Sequence, residues 1–390
     1  MSFVSSFDAL HEQAMKASGF DDFGTTDYVE PLKLLLADYD EYNQFTELGV
    51  QLVNGWTVTS LIGRLFSQQG FKTHPQFAAA PVTRPLIILG LVRTGSTALL
   101  KLLAADPQHQ TIPYWLGNTP MPRPPRETWE ANPWYQATAA GLKMFYDINP
   151  EMWKIHPMFP DQADECRIVI DHTFWSSGLS TTATVPNYTD WAITADARYA
   201  YQYHRKVLGL MAGGDARRWV LKDPSHIFGL DSLLKIYPDA CIVFTHRDIT
   251  TSMASGAKLL WEIRKMRDAK MDMKKHGAEQ LAIWGRVLDK TETVRKLHHP
   301  AQFFDVHVNQ LHTDPLGTAE AIYRHFDIPM SEQSREALKA HIAGDVRAGH
   351  AHHVYSAEQF GLTTAAIHQS IGAYSERAME MDRRYGKGVA

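Results

Sequence analysis

The run Leu86-Ile-Ile-Leu-Gly-Leu-Val-Arg-Thr-Gly-Ser-Thr-Ala-Leu-Leu100 constrains this chain more than any other stretch. Its apolar residues from Leu86 to Leu89 read as a fully buried strand. Residues 90–97 then break into a turn carrying glycines and hydroxyls, after which Leu99, Leu102 and Leu103 recur at helical spacing. A strand, a tight turn and a helix N-terminus make an anion site, because the turn N–H groups and the positive end of the helix dipole converge on one point. Thr94, Ser96 and Thr97 add hydroxyl donors, and Arg93 adds a permanent cation. The stretch predicts a phosphate-binding loop.

Its cation order departs from that of an ordinary nucleoside-triphosphate loop. A Walker A motif carries its lysine directly after the second glycine. Gly90 and Gly95 have the Walker spacing, but Ser96 stands where the lysine belongs, and the cation comes before the glycine, at Arg93. That order fits poorly with an ATP or GTP hydrolase that binds magnesium through the loop. The plainer alternative is a strand–turn–helix junction whose Arg and Thr only cap a helix.

Composition narrows the remaining classes. At 390 residues the chain can bury a large core and hold one big domain or two. Lys+Arg 39 against Asp+Glu 43 gives a net charge of −4, so no global field favours nucleic acid or an anionic membrane, and anion binding must be local. The two cysteines, Cys166 and Cys241, make no disulfide framework and suit a reducing compartment. The N-terminus shows no cationic segment followed by an apolar run, and no apolar run approaches bilayer-spanning length. The expectation is a soluble cytoplasmic protein, with no oligomeric state implied.

Residues 1–80 read as a helical extension, with Leu32, Leu34, Leu35 and Leu36 followed by Leu61, Leu65 and Phe66. Strand and helix signals alternate from Leu86 onward. The proline-rich stretch 113–133 interrupts them and predicts loop rather than helix or central strand. Aromatic-rich, helical material follows from Trp134 to Leu210. The α/β pattern then returns: strands over 219–221, 241–245 and 302–307, a helix face at Ile227, Leu230, Leu233 and Leu234, and a helix around Thr318–Phe326. The expected fold class is α/β, a P-loop-type parallel sheet flanked by helices, with ligands at the strand C-terminal ends. The expected division is an extension over 1–80 and an α/β domain over 81–390, with a helical insert at about 115–215.

Three strand ends carry unusual polar content. The first is the Arg93 loop. The second is Leu221-Lys-Asp-Pro-Ser-His226, where a cation and an imidazole follow a strand that Pro224 terminates. The third is Thr245-His-Arg-Asp248, which delivers Arg247, and a helix starting near Ile249 brings Ser255 round two turns later. Each has an ordinary reading as a solvated cation or a cap; three together at equivalent sheet positions favour a site.

At this point the chain resembles a known family. Gly90-Leu-Val-Arg-Thr-Gly-Ser-Thr97 resembles the 5′-phosphosulfate loop of the PAPS-dependent sulfotransferases. His246-Arg-Asp248 with Ser255 is similar to the family's 3′-phosphate motif. Trp219-Val-Leu-Lys-Asp-Pro-Ser-His226 resembles the bacterial branch and the tyrosylprotein sulfotransferases, which carry a similar Lys-Asp-Pro. Arg347-Ala-Gly349 and the run from Tyr355 to Leu362 resemble the family's closing loop over the nucleotide.

The resemblance implies sulfuryl transfer from PAPS to a hydroxyl, releasing PAP and requiring no metal. It places Arg93 against the leaving group, with Thr94, Gly95, Ser96, Thr97 and Ala98 cradling the 5′-phosphate. Arg247 and Ser255 grip the 3′-phosphate, with Arg347 a third candidate, and Lys222 is a second transition-state cation. The family's glutamate after a tryptophan is missing, since Leu116 follows Trp115. The base is then His226, whose ordinary pKa near 6.5 suits proton abstraction, or Glu165. An apolar acceptor, phenolic, sterol-like or a lipid alcohol, would sit among Trp115, Met144, Phe145, Tyr146, Trp153, Phe159, Phe174 and Trp175, with Met253 and Trp261 as further candidates, although core packing explains any single one. His350, His352 and His353 cluster without helix-spaced partners, so no metal site is expected. The competing functions are a P-loop kinase using ATP and magnesium, and a nucleotide-binding protein that has lost catalysis.

Overall fold

In the computed structural model, residues 2–344 and 356–386 are described. The chain divides into two compact units. One comprises Thr83–Thr111, Arg217–Lys258 and Asp272–Ala390; the other comprises Met1–Val82, Ile112–Ala216 and Leu259–Met271.

The first unit carries a sheet of β1 (Leu86–Gly90), β2 (His109–Gln110), β3 (Arg218–Lys222), β4 (Cys241–His246) and β5 (Phe303–His307). The spatial order is β2-β3-β1-β4-β5, with every pairing parallel. β1 is buried at every position, which is why it reads as an unbroken apolar run instead of an alternating one. β3 lies on one side of it and β4 on the other, so the strand order reverses around β1 and opens a crevice at the C-terminal ends. The register sets those ends level: Ile88 stands opposite Lys222, and Gly90 opposite Thr245.

The strands expected at 219–221, 241–245 and 302–307 are present, each within one residue of its expected bounds. β2 was not legible, because its two residues are polar and held by edge pairing to β3. Ile227 belongs to a 3-10 turn, Pro224–Ile227, and the helix proper is Leu230–Ile236.

The second unit is helical. Phe7–Ser18, Val29–Tyr42 and Glu47–Thr73 form its N-terminal part. Glycines let the longest of these pack closely: a Cβ at Gly63 would lie 2.1 Å from His172 Nε2, and one at Gly70 would lie 2.3 Å from Leu210. The stretch expected to be loop contains an α-helical turn, Tyr114–Asn118, which starts directly after Pro113 and buries Trp115 and Leu116, and a 3-10 turn, Arg126–Thr128. Proline restricts the residue before it and fixes its own φ, but leaves the chain after it free to turn helical. The region 134–210 is helical in pieces. Three of them, Pro133–Ile148, Pro150–Ile155 and Pro186–Thr194, begin at a proline, where the missing N–H costs nothing. Asn132 and Asn149 cap the first two through their side-chain oxygens.

No helix among the described residues is long and apolar enough to cross a membrane. Cys166 and Cys241 are both buried and unbridged.

Candidate active site

The loop after β1 is shaped by three residues with positive φ. Gly90 (φ 142°) lies so close to β4 that a Cβ would come 2.6 Å from the Thr245 carbonyl oxygen. Gly95 (φ 88°) caps the helix Ser96–Ala104, and a Cβ there would come 2.8 Å from Val308 Cγ2. Between them Arg93 adopts φ 71°, a left-handed conformation that costs a non-glycine residue roughly 1 kcal/mol. Strain of this kind persists where surrounding contacts hold it, and it marks functional loops.

Arg93 is held from two directions. Its Nε donates to the Ser255 hydroxyl at 3.2 Å, and its carbonyl oxygen accepts from Arg247 Nη1 at 3.3 Å. Ser255 is buried in the helix Ile249–Arg264 that follows β4, and Arg247 leaves the end of that strand. Burial pulls the Arg247 pKa below its usual value, partly offset by the adjacent Asp248 carboxylate.

On the other side of β1, Lys222 ends β3 almost fully buried, and its Nζ donates to Thr97 Oγ1 at 3.1 Å. The Asp223 N–H donates to the Ile88 carbonyl at 3.2 Å, and its side chain accepts from the Ser225 N–H at 2.7 Å. These bonds fasten the Lys-Asp-Pro-Ser turn to β1. The helix Met273–Arg295 secures its far side: Thr291 and Lys290 donate to the Ile227 and Phe228 carbonyls, each at 2.9 Å.

The helix Ser96–Ala104 makes its first internal bond from the Leu99 N–H to the Gly95 carbonyl at 3.1 Å. Helix geometry therefore points the N–H groups of Ser96, Thr97 and Ala98 out of its N-terminus, toward the loop. The structure thus brings Arg93, the 94–98 segment, Lys222, Arg247 and Ser255 into one unit at the C-terminal ends of three adjacent strands.

One hydroxyl plays a different part from the one expected. Thr94 Oγ1 donates to the Leu91 carbonyl at 2.7 Å and sits 2.6 Å from Thr245 Oγ1. Thr245 Oγ1 in turn bonds the Leu89 carbonyl at 3.2 Å. The Thr94 hydroxyl thus fastens the loop to β4, leaving its main chain to face an anion. Thr245 opens the third polar strand end, but its own role was not read from the sequence; its signal is a hydroxyl near the end of an otherwise apolar strand.

His226 lies in the same unit, in the 3-10 turn after Lys222, with its side chain fully enclosed. Glu165 belongs to the helical unit, where its side chain remains 15% exposed and Arg167 Nε lies 3.7 Å away. Arg167 also holds the buried carboxylate of Asp171 at 2.7 Å. Arg347, His350, His352 and His353 lie outside the described residues. The described part of the 355–362 run forms a 3-10 turn, Ala357–Phe360, ending at Gly361.

The aromatic candidates separate by environment. Trp115, Phe174, Trp175 and Met253 are buried, and the Trp175 indole N–H donates to the Ala192 carbonyl at 2.9 Å, as a core residue would. Met144 and Trp153 are exposed, and Phe145, Tyr146, Phe159 and Trp261 are half-buried. Edge-to-face contacts link Phe145, Tyr146, Trp153 and Phe159 in a row, with centroids 5.1–5.4 Å apart. Among the described residues, no three His, Cys, Asp or Glu side chains come together as a metal site requires.

A profile of the sulfotransferase family matches residues 85–332. The crystal structure of sulfotransferase STF1 from Mycobacterium tuberculosis is 38% identical, superposes with a TM-score of 0.86, and is covered over 100% of its length by 95% of this chain. Sulfotransferase STF9 from Mycobacterium avium shares the fold, with a TM-score of 0.86 at 24% identity, over 95% of this chain and 96% of that one. No curated protein sequence matches this chain.

Proposed function

This chain belongs to the sulfotransferase family, and we propose that it moves a sulfuryl group from PAPS to the hydroxyl of a small apolar acceptor by in-line displacement. The observation that carries this reading is the convergence of three cations, Arg93, Lys222 and Arg247, on one glycine-shaped loop. The loop suits a phosphosulfate: Gly90 and Gly95 leave no room for side chains, and the helix N-terminus supplies donors for an anion.

In the displacement, the acceptor oxygen forms a bond to sulfur while the bond from sulfur to the 5′-phosphate oxygen breaks. The electron pair departs on PAP, and the hydroxyl proton passes to a base. Arg93 and Lys222 neutralise the charge that grows on the leaving phosphate, a contribution of several kcal/mol when donors are already in place. Arg247 and Ser255 take the 3′-phosphate, the group that separates PAPS from ATP. Arg347 remains a proposed third contact for that phosphate. His226 is the proposed base, on its place directly after the Lys222 turn. Glu165 is the second reading, favoured by its carboxylate's retained exposure where His226 is enclosed. The helical insert, with its row of aromatic rings, is the proposed acceptor-binding part. Two unbridged cysteines support a reducing, cytoplasmic setting.

Thermal-shift titration with PAP, ADP and ATP–magnesium tests the donor. Stabilisation by PAP well beyond ADP is expected; stabilisation by ATP–magnesium with none by PAP rejects the reading in favour of a kinase. Labelled sulfate passing from PAPS to a panel of phenols and lipid alcohols separates an active enzyme from a nucleotide-binding relic.

A further inference from the structure

We propose that Tyr374, at the start of the C-terminal helix Tyr374–Tyr385, is a positioning residue for the donor's 3′-phosphate, acting through His246 on the neighbouring Arg247. The inference rests on the reading of Arg247 given above.

His246 is the last residue of β4 and is 1% exposed. Its Nδ1 lies 2.8 Å from the Tyr374 hydroxyl, and its Nε2 lies 2.7 Å from Asp305 Oδ1 on β5. A carboxylate only accepts, so Nε2–H donates to Asp305 and Nδ1 accepts from the Tyr374 O–H. The imidazole also stacks on Phe244 (4.9 Å, 23° between planes) and lies nearly parallel to the Tyr374 ring that bonds its edge (5.8 Å, 11°). Both ring nitrogens are thus engaged.

The partners are themselves immobilised. Arg295 grips Asp305 with two nitrogens, at 2.7 and 2.5 Å. Arg377, one turn along the helix from Tyr374, reaches the same carboxylate at 3.4 Å and holds Glu292 at 2.8 and 2.6 Å. A buried polar network of this size is costly against an apolar core, and what it supplies is directional fixation. Here the fixation ends on the residue next to Arg247.

His246 is the last strand residue before Arg247, so locking its ring fixes the main chain from which Arg247 departs. Arg247 is the residue that crosses to the Arg93 loop, and its long side chain has about 2 kcal/mol of rotamer entropy to lose on binding. A fixed root reduces what the bound phosphate must order.

Calorimetric titration with PAP and with AMP isolates the 3′-phosphate, because the two ligands differ only there. In Tyr374→Phe the preference for PAP over AMP is expected to fall about 5–10-fold, the worth of one buried hydrogen bond, while AMP affinity stays close to wild type. A merely structural role would lower the melting temperature and leave that preference unmoved. His246→Leu, which removes both ring bonds, is expected to lose at least as much, and if it fails to fold Tyr374→Phe decides alone. Wild-type preference in the folded variants overturns the inference. A wild-type protein that binds PAP no more tightly than AMP overturns the donor reading and this inference with it.

Discussion

The Arg93 side chain donates to the Ser255 hydroxyl across 3.2 Å, joining residues 162 positions apart. The same residue's carbonyl accepts from Arg247 at 3.3 Å. The loop that carries the left-handed arginine is therefore tied by its main chain to the residue leaving β4, and by its side chain to the helix that follows. In the proposed reaction this places the leaving-group cation under the control of the residues that hold the 3′-phosphate.

Arg93→Ala is expected to lower turnover at saturating PAPS by about 10²–10³-fold, the usual loss for one preorganised donor. Arg93→Gly is expected to be equally inactive while melting no lower than wild type, since glycine relieves the left-handed strain. Ser255→Ala leaves the guanidinium charged but unaimed, so turnover falls by about tenfold, without loss of fold. Turnover and melting curves measured side by side check all three variants, and an active Arg93→Gly removes the leaving-group role.

The two proposed bases separate by a similar comparison. His226→Ala is expected to abolish turnover while PAP still binds, and Glu165→Gln to retain most activity. If the Glu165 variant is the dead one and the His226 variant turns over near normally, the assignment reverses.

Thr245→Val keeps shape and burial while removing the hydroxyl that touches Thr94 and Leu89. Stability is expected to drop by about 1–2 kcal/mol, the range for breaking a buried hydrogen bond. PAP affinity should fall with it because the loop loses its tether. A variant that loses stability in urea titration but binds PAP as wild type does would limit Thr245 to packing.

Acid sensitivity follows from buried histidines. Burial lowers the pKa of His172 to about 3 and that of His204 to about 3, and it also lowers those of His109 and His246. A histidine held neutral when folded but free to protonate when unfolded stabilises the fold fully above its ordinary pKa near 6.5. Below that, the unfolded state gains the proton and stability declines, continuing down toward the folded value near 3 for His172 and His204. Each contributes a loss of about 1.4 kcal/mol per pH unit in that window. Denaturant titrations at pH 7.5, 6.5 and 5.5 should show stability falling below 6.5, and His204→Phe should flatten the slope. An unchanged slope in that variant contradicts the account.

The sheet and its loop were legible because they depend on local pattern. Buried parallel strands read as apolar runs, and each of the runs at 86–89, 219–221 and 241–245 is a strand. Strand alternation with helices also predicts where a ligand belongs, at the C-terminal ends. β2 was hidden because two polar residues carry no periodicity. The turn Tyr114–Asn118 was hidden because the prolines around it argue for loop.

By itself, then, the sequence supplied the residues of the proposed donor site: a cation before the second glycine, a lysine and an arginine at two further strand ends, and a serine two helical turns on. Only the tertiary structure decided which of these are bonded to which. The Arg93–Ser255 and Lys222–Thr97 pairs, the diversion of the Thr94 hydroxyl to Thr245, and the Tyr374 bond to His246 all join residues more than a hundred positions apart. Such bonds follow from sheet register and strand order, which place distant segments within 3 Å or so of one another. Residue type and spacing along one strand or helix encode local form, but they carry no direct record of which remote strand will lie alongside.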